Sequence, residues 1–121
     1  MKTFFLFITI FILYSSISFS QTDRWLYLGT KNSVDIYIDV ESILYNKQAN
    51  MYQVYSKTVD SDGSYQLHLQ NYYCNKRRMD WISDYTYDKF DNLIHQLSTN
   101  DYDNDILPES NPEKIYYFLC K

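Results

Sequence analysis

Cys74 and Cys120 are the only cysteines in this 121-residue chain, and the first twenty residues decide what they can do. Lys2 is followed by an almost unbroken apolar run from Phe4 to Tyr14, and then by the small residues of Ser18-Phe19-Ser20. A basic start, an apolar centre and a small-residue end form the layout of a secretory signal. The run is shorter than the roughly 20 apolar residues a membrane-spanning helix needs. Residues 1–20 are therefore read as a signal peptide cleaved between Ser20 and Gln21, and residues 21–121 as one domain. No cysteine precedes Cys74, so no lipid anchor is expected at the mature N-terminus, and no stable membrane span after signal removal. The expected location is the periplasm, the cell surface or the medium. Disulfides persist there, and two cysteines allow a single intramolecular pairing. Closing that loop contributes about 4 kcal/mol in the chain-entropy treatment, a large share of the ~5–15 kcal/mol typical of a domain.

Charge and composition narrow the function further. The formal net charge is −4, and removal of the signal takes away only Lys2, giving −5. That balance argues against a nucleic-acid partner, which calls for a basic surface. Aromatic residues make up 19% of the chain, with 14 tyrosines. Tyrosine suits the half-buried surface of a β-sheet, and it is also favoured at protein interfaces.

The patterning predicts strands and one helix. Trp25 to Leu28 reads as a first strand stopping at Gly29. Val34 to Val40 alternates with period two, placing Val34, Ile36, Ile38 and Val40 on one face. Asp39 and Ser42 can cap backbone amides where that strand ends, and Glu41 to Asn50 reads as a short helical turn or loop. Met51 to Val59 and Tyr65 to Gln70 form a hairpin across the Asp62-Gly63 turn, with Leu67 and Leu69 facing one side and Gln66, His68 and Gln70 the other. Met79 to Tyr87 alternates again, setting Trp81, Ser83, Tyr85 and Tyr87 opposite Ile82, Asp84 and Thr86. It is followed by a turn and a strand over Leu93 to Leu97, and Ser98 to Asp105 reads as a polar loop. Ser110-Asn111-Pro112-Glu113 is a capping box ahead of Ile115, Phe118 and Leu119 at helical spacing. The expected fold is α+β: an antiparallel β-sheet meander with a short C-terminal helix tied to the sheet by one disulfide.

No arrangement for catalysis stands out. His68 and His95 lack a second ligand at metal-binding spacing and are read as surface residues. There is no Gly-x-Ser-x-Gly elbow. Asp101, Asp103 and Asp105 begin like a calcium loop, but Ile106 and Pro112 stand where an EF-hand needs Gly and Glu. No enzyme activity, cofactor or metal is expected. Lys76, Arg77 and Arg78 form the one basic cluster, and with Tyr72 and Tyr73 they make a candidate binding patch, since Tyr and Arg offer large contact areas and directional hydrogen bonds.

Taken in order, several segments resemble the bacterial surface-adhesin protein E family. They are Trp25, Val34-Asp35-Ile36-Tyr37-Ile38-Asp39-Val40-Glu41-Ser42-Ile43, Gln53-Val54-Tyr55-Ser56-Lys57, Tyr73-Cys74-Asn75-Lys76-Arg77-Arg78, the Tyr87-Asp88 hairpin, and Leu107-Pro108-Glu109-Ser110 through to Cys120. The family usually has Pro-Gly-Ser where this chain has Pro-Glu-Ser, and tends to have Gly in the hairpin where Asp91-Asn92 stands. The resemblance implies a small exported, disulfide-bonded α+β domain whose founding member is an adhesin for host proteins. It supplies no catalytic residues, and only Cys74 and Cys120 carry over, as a disulfide. The expected function is a non-enzymatic binding domain for a host extracellular or envelope protein. The alternative is a small periplasmic inhibitor of a basic enzyme such as lysozyme, which an acidic surface could steer towards. N-terminal sequencing of the exported protein should read from Gln21; a sequence beginning at Met1 or Lys2 contradicts the signal assignment.

Overall fold

The computed structural model describes residues 24–121; the expected signal peptide and its Ser20–Gln21 junction lie outside the described residues. Seven strands form one antiparallel sheet: β1 (Trp25–Lys31), β2 (Val34–Asp39), β3 (Leu44–Asn46), β4 (Met51–Val59), β5 (Tyr65–Tyr73), β6 (Arg78–Tyr87) and β7 (Leu93–Asp105). The strand order is β1-β2-β4-β5-β6-β7, with β3 beside the start of β4. One helix, α1 (Asn111–Leu119), follows. Among the described residues no helix is long and apolar enough to cross a membrane.

β2 and β3 lie end to end along β4, separated by a single 3-10 turn over Val40–Ser42. Asp39 caps that turn, accepting from the Glu41 N–H at 3.1 Å. Ser42 donates to the Asp39 carbonyl and accepts from the Tyr55 N–H at 3.0 Å. Both expected caps are present. Val40, however, leaves the strand and is exposed instead of completing the apolar face. The expected loop over Glu41 to Asn50 contains β3, three exposed residues that a hydrophobic pattern cannot reveal.

Register assigns the two faces, because side chains alternate along each strand. Ile36, Ile38, Val54, Ser56, His68, Gln70, Tyr72 and Met79 point to the helix side. Ile38, Val54, Tyr72 and Met79 meet Ile106, Ile115 and Leu119 in the core. Leu67 and Leu69, half-buried, lie on the opposite face. The side of β5 bearing Gln66, His68 and Gln70 is therefore the one under the helix. His68 is not a surface residue: only 8% of it is exposed. A bulge in β6 changes its pattern as well. Leu69 pairs with Ser83 but Gln70 with Trp81, leaving Ile82 as the extra residue. The bulge turns Trp81 to the helix side, against the His68 ring, and away from Tyr85 and Tyr87.

The helix is tied down at both ends. Ser110 accepts from the Glu113 N–H and Pro112 sits in the first turn. The Glu113 carboxylate reaches back to the Glu109 N–H instead of that of Ser110, so half of the expected capping box is made. Cys120, at the far end, is bonded to Cys74 beyond β5, with Cα atoms 5.3 Å apart. Arg77 reaches Glu113 and the Tyr117 hydroxyl, and the Tyr116 hydroxyl donates to the Cys74 carbonyl. At the near edge Gly29 lies at the β1 bulge with φ +151°, where an added Cβ would come within 2.9 Å of Lys114 Nζ.

The segment Ser98 to Asp105 is not a loop. It continues β7 to thirteen residues along the sheet edge. Its polarity reflects exposure on both faces, and specific polar contacts hold it. Arg78 binds Asp103 and Asp105, and buried Asp80 accepts from the Asp103 N–H at 2.8 Å. The apparent calcium motif is thus a strand, and Arg78 engages two of its three carboxylates, Asp103 and Asp105. Among the described residues no group of three or more metal-ligating side chains forms.

The crosslink carries much of the stability. Replacing Cys74 and Cys120 together by Ser should lower unfolding free energy by about 2–5 kcal/mol in urea titrations; an unchanged midpoint would show the helix to be held by packing alone.

Candidate functional site

The candidate patch from the sequence does not assemble. Tyr72 and Tyr73 are adjacent in β5, so they point to opposite faces. Tyr72 is fully buried in the core, where its hydroxyl donates to Gln70. Tyr73 lies on the other face; its hydroxyl donates to Asp80, and Lys76 Nζ sits 4.7 Å from its ring. Arg77 is engaged with α1 and Arg78 with β7. The cluster joins elements of the fold and does not present a shared basic surface.

The tyrosines gather elsewhere, on the sheet face opposite α1. Trp25 and Tyr27 of β1, Tyr37 of β2, Tyr55 of β4, Tyr65 of β5, and Tyr85 and Tyr87 of β6 share it by register. Tyr27 and Tyr37 have ring centroids 5.5 Å apart, and Tyr65 stacks on Tyr87 at 5.0 Å. Lys57 rises through the middle, its Nζ 4.5 Å from the Trp25 ring, 5.3 Å from Tyr37 and 5.7 Å from Tyr65. A cation over several rings is attracted to their negative faces, so Lys57 fixes the rings around it.

Beside Lys57 the face dips into a cleft of about 360 Å³, lined by Arg24, Trp25, Asp39, Tyr55, Leu67 and Tyr85 among others. One wall is polar. Asp39 is buried and binds Arg24 through one oxygen and the Glu41 N–H through the other. Both oxygens of that carboxylate thus have a donor, which is what a buried charge requires. The remaining walls are aromatic and apolar. Such a surface can take up another apolar or aromatic group and hydrogen-bond it at the Arg24 end. It offers no nucleophile beside a base.

Sequence reasoning saw the tyrosine excess without locating it. The register of the β4–β5 hairpin could have done so, since the Asp60–Ser64 turn fixes which residues of the two strands share a face. β1 and β6 are harder, because each contains a bulge. Comparison of the chain with family models, curated proteins and solved structures yields no match.

Three tyrosines hold their protons unusually tightly. Burial, reinforced by hydrogen bonds to Asp91 and Asp80 respectively, pushes the Tyr65 and Tyr73 phenols up to about 12. Burial alone raises Tyr72 well above the ordinary value of 10.0. A folded-state pKa above the unfolded value gives stability that is complete below the unfolded value and lost as pH rises through the folded one. The urea midpoint should therefore stay level with respect to these groups up to about pH 10 and fall between pH 10 and 12. Tyr73→Phe should make that fall shallower; an identical slope would remove Tyr73 as a contributor.

Proposed function

We propose that this chain is an exported, non-enzymatic binding domain that engages a protein partner through the aromatic face of the sheet. The observation that carries this reading is the convergence of Trp25, Tyr37, Tyr55, Tyr65, Tyr85 and Tyr87 from five strands on the face turned away from α1. Tyrosine and tryptophan bury large areas while losing few side-chain rotations, so they supply much of the binding energy at protein interfaces. The face is also preorganised, with Lys57 and the paired rings already in contact, which reduces the entropy lost on binding. Resemblance to the surface-adhesin E family supports a host extracellular or envelope protein as the partner, and the apolar N-terminal run supports export.

The acidic edge keeps a second reading in view. Asp101, Asp103 and Asp105 lie along β7 and are largely exposed, and an acidic strip of this kind would suit an inhibitor of a basic enzyme such as lysozyme.

The oxidised domain should bind at least one member of a panel of immobilised host extracellular-matrix proteins. Tyr55→Ala combined with Tyr85→Ala should weaken that binding at least tenfold while leaving the circular dichroism unchanged. Binding that survives both substitutions would overturn the assignment of the aromatic face. In a cell-wall lysis assay the domain should leave lysozyme active; inhibition lost on Asp101→Asn, Asp103→Asn and Asp105→Asn together would move the function to β7.

A further inference from the structure

The helix side of the sheet carries more polar residues than a core needs. α1, at nine residues, is about 13 Å long, whereas the nine-residue strands beneath it extend about 30 Å. The apolar residues lie near the disulfide. Beyond the helix N-terminus the same face carries Ser56, Thr58, Gln66, His68 and Gln70, around a second cleft of about 420 Å³ that Trp81 and Ile36 also line. Ser56 and Gln70 are each only 1% exposed. Buried polar groups destabilise a fold unless they are partnered, so their placement here needs a reason.

The hydrogen bonds supply one. The Gln70 carboxamide oxygen accepts from both Ser56 Oγ at 2.9 Å and the Tyr72 hydroxyl at 2.8 Å. Gln70 also lines the cleft. Deeper along the wall, Asp84 holds His68 through Nδ1 at 2.6 Å, and His68 Nε2 meets the Thr58 hydroxyl at 3.2 Å. An Asp-His-Thr chain has the connectivity of a nucleophile relay. Thr58, however, lies within β4, one residue from its end, and is paired on both sides, with Ile36 and with Gln66. Its surrounding backbone N–H groups serve the sheet, so no donor pair is available for an oxyanion. The chain instead fixes the ring and hydroxyl as hydrogen-bonding groups.

The geometry points to a binding site for a neutral, polyhydroxylated ring of monosaccharide size in the cleft between the polar half of the sheet and the start of α1. No Lys or Arg lines this cleft and Asp60 does, so an anion would find no counter-charge. Amides from Gln66, Gln70 and Asn111 with the Thr58 hydroxyl give both donors and acceptors, matching ligand hydroxyls that are both. Trp81, Ile36 and Pro112 offer the apolar contacts that the C–H faces of a sugar ring need. The volume falls within the range of small-molecule sites. This cleft lies on the opposite face from the aromatic surface, so the two assignments stand or fall separately.

Saturation-transfer NMR with the oxidised domain tests it, using glucose, galactose, mannose and N-acetylglucosamine, with glucuronate and glucosamine as charged controls. At least one neutral sugar should receive saturation well above both controls. The triple variant Ser56→Ala, Gln70→Leu and Tyr72→Phe should abolish that transfer while unfolding at an equal or higher urea concentration, because it removes a polar network whole and leaves no orphan. Gln66→Ala, at the exposed rim, should weaken binding at least threefold without affecting the fold. Silence from all four neutral sugars, transfer confined to glucosamine, or transfer retained in the triple variant would each overturn the proposal.

Discussion

A single covalent bond determines which face of this sheet is dry. A nine-residue helix is too short to be stable by itself, and its buried contact with the sheet rests mainly on Ile115 and Leu119. Joining Cys120 to Cys74 converts that weak docking into an intramolecular constraint. Arg77 and Tyr116 then set the orientation, each linking the helix to the turn after β5. Ile38, Val54, Tyr72 and Met79 gain an apolar partner as a result. Because the clamp lies at one end of the sheet, only that end is sealed. The cleft lined by polar residues beyond the helix and the aromatic residues on the reverse face remain, which leaves this small chain two places for recognition.

How much of this the sequence could disclose differed by element, for identifiable reasons. Met51–Val59 was legible to the residue, since β-branched and aromatic residues fill it and a turn with Asp-Gly bounds it. The helix was legible through its cap, and the disulfide through cysteine arithmetic. β3 and the second half of β7 were not. Both are exposed on either side, so neither shows the alternation that burial imposes. Trp81 was misassigned because one extra residue at Ile82 reverses everything before it relative to everything after. His68 was misread because its neighbours are glutamines, and a polar row suggests solvent unless the cover beyond it is known.

The candidate site follows the same logic. Counting tyrosines signalled an interface but not a place, and the most conspicuous local cluster, Tyr72 to Arg78, proved to be internal fastening. Two of its arginines are committed to carboxylates on other elements, Glu113 on the helix and Asp103 and Asp105 on β7. A run of like charges in sequence becomes, in space, a set of separate ties. The residues that do converge come from five strands spread between Trp25 and Tyr87, and only strand register brings them together.

The outer strand has a consequence for handling the protein in solution. An open β edge is a template on which other chains can add. Along Asp101, Asp103 and Asp105 the edge is guarded by charge, but Leu93, Ile94 and Leu97 at its other end are bare and apolar. The defence thus covers one half of the edge only, and self-assembly by strand addition would begin at Leu93, Ile94 and Leu97.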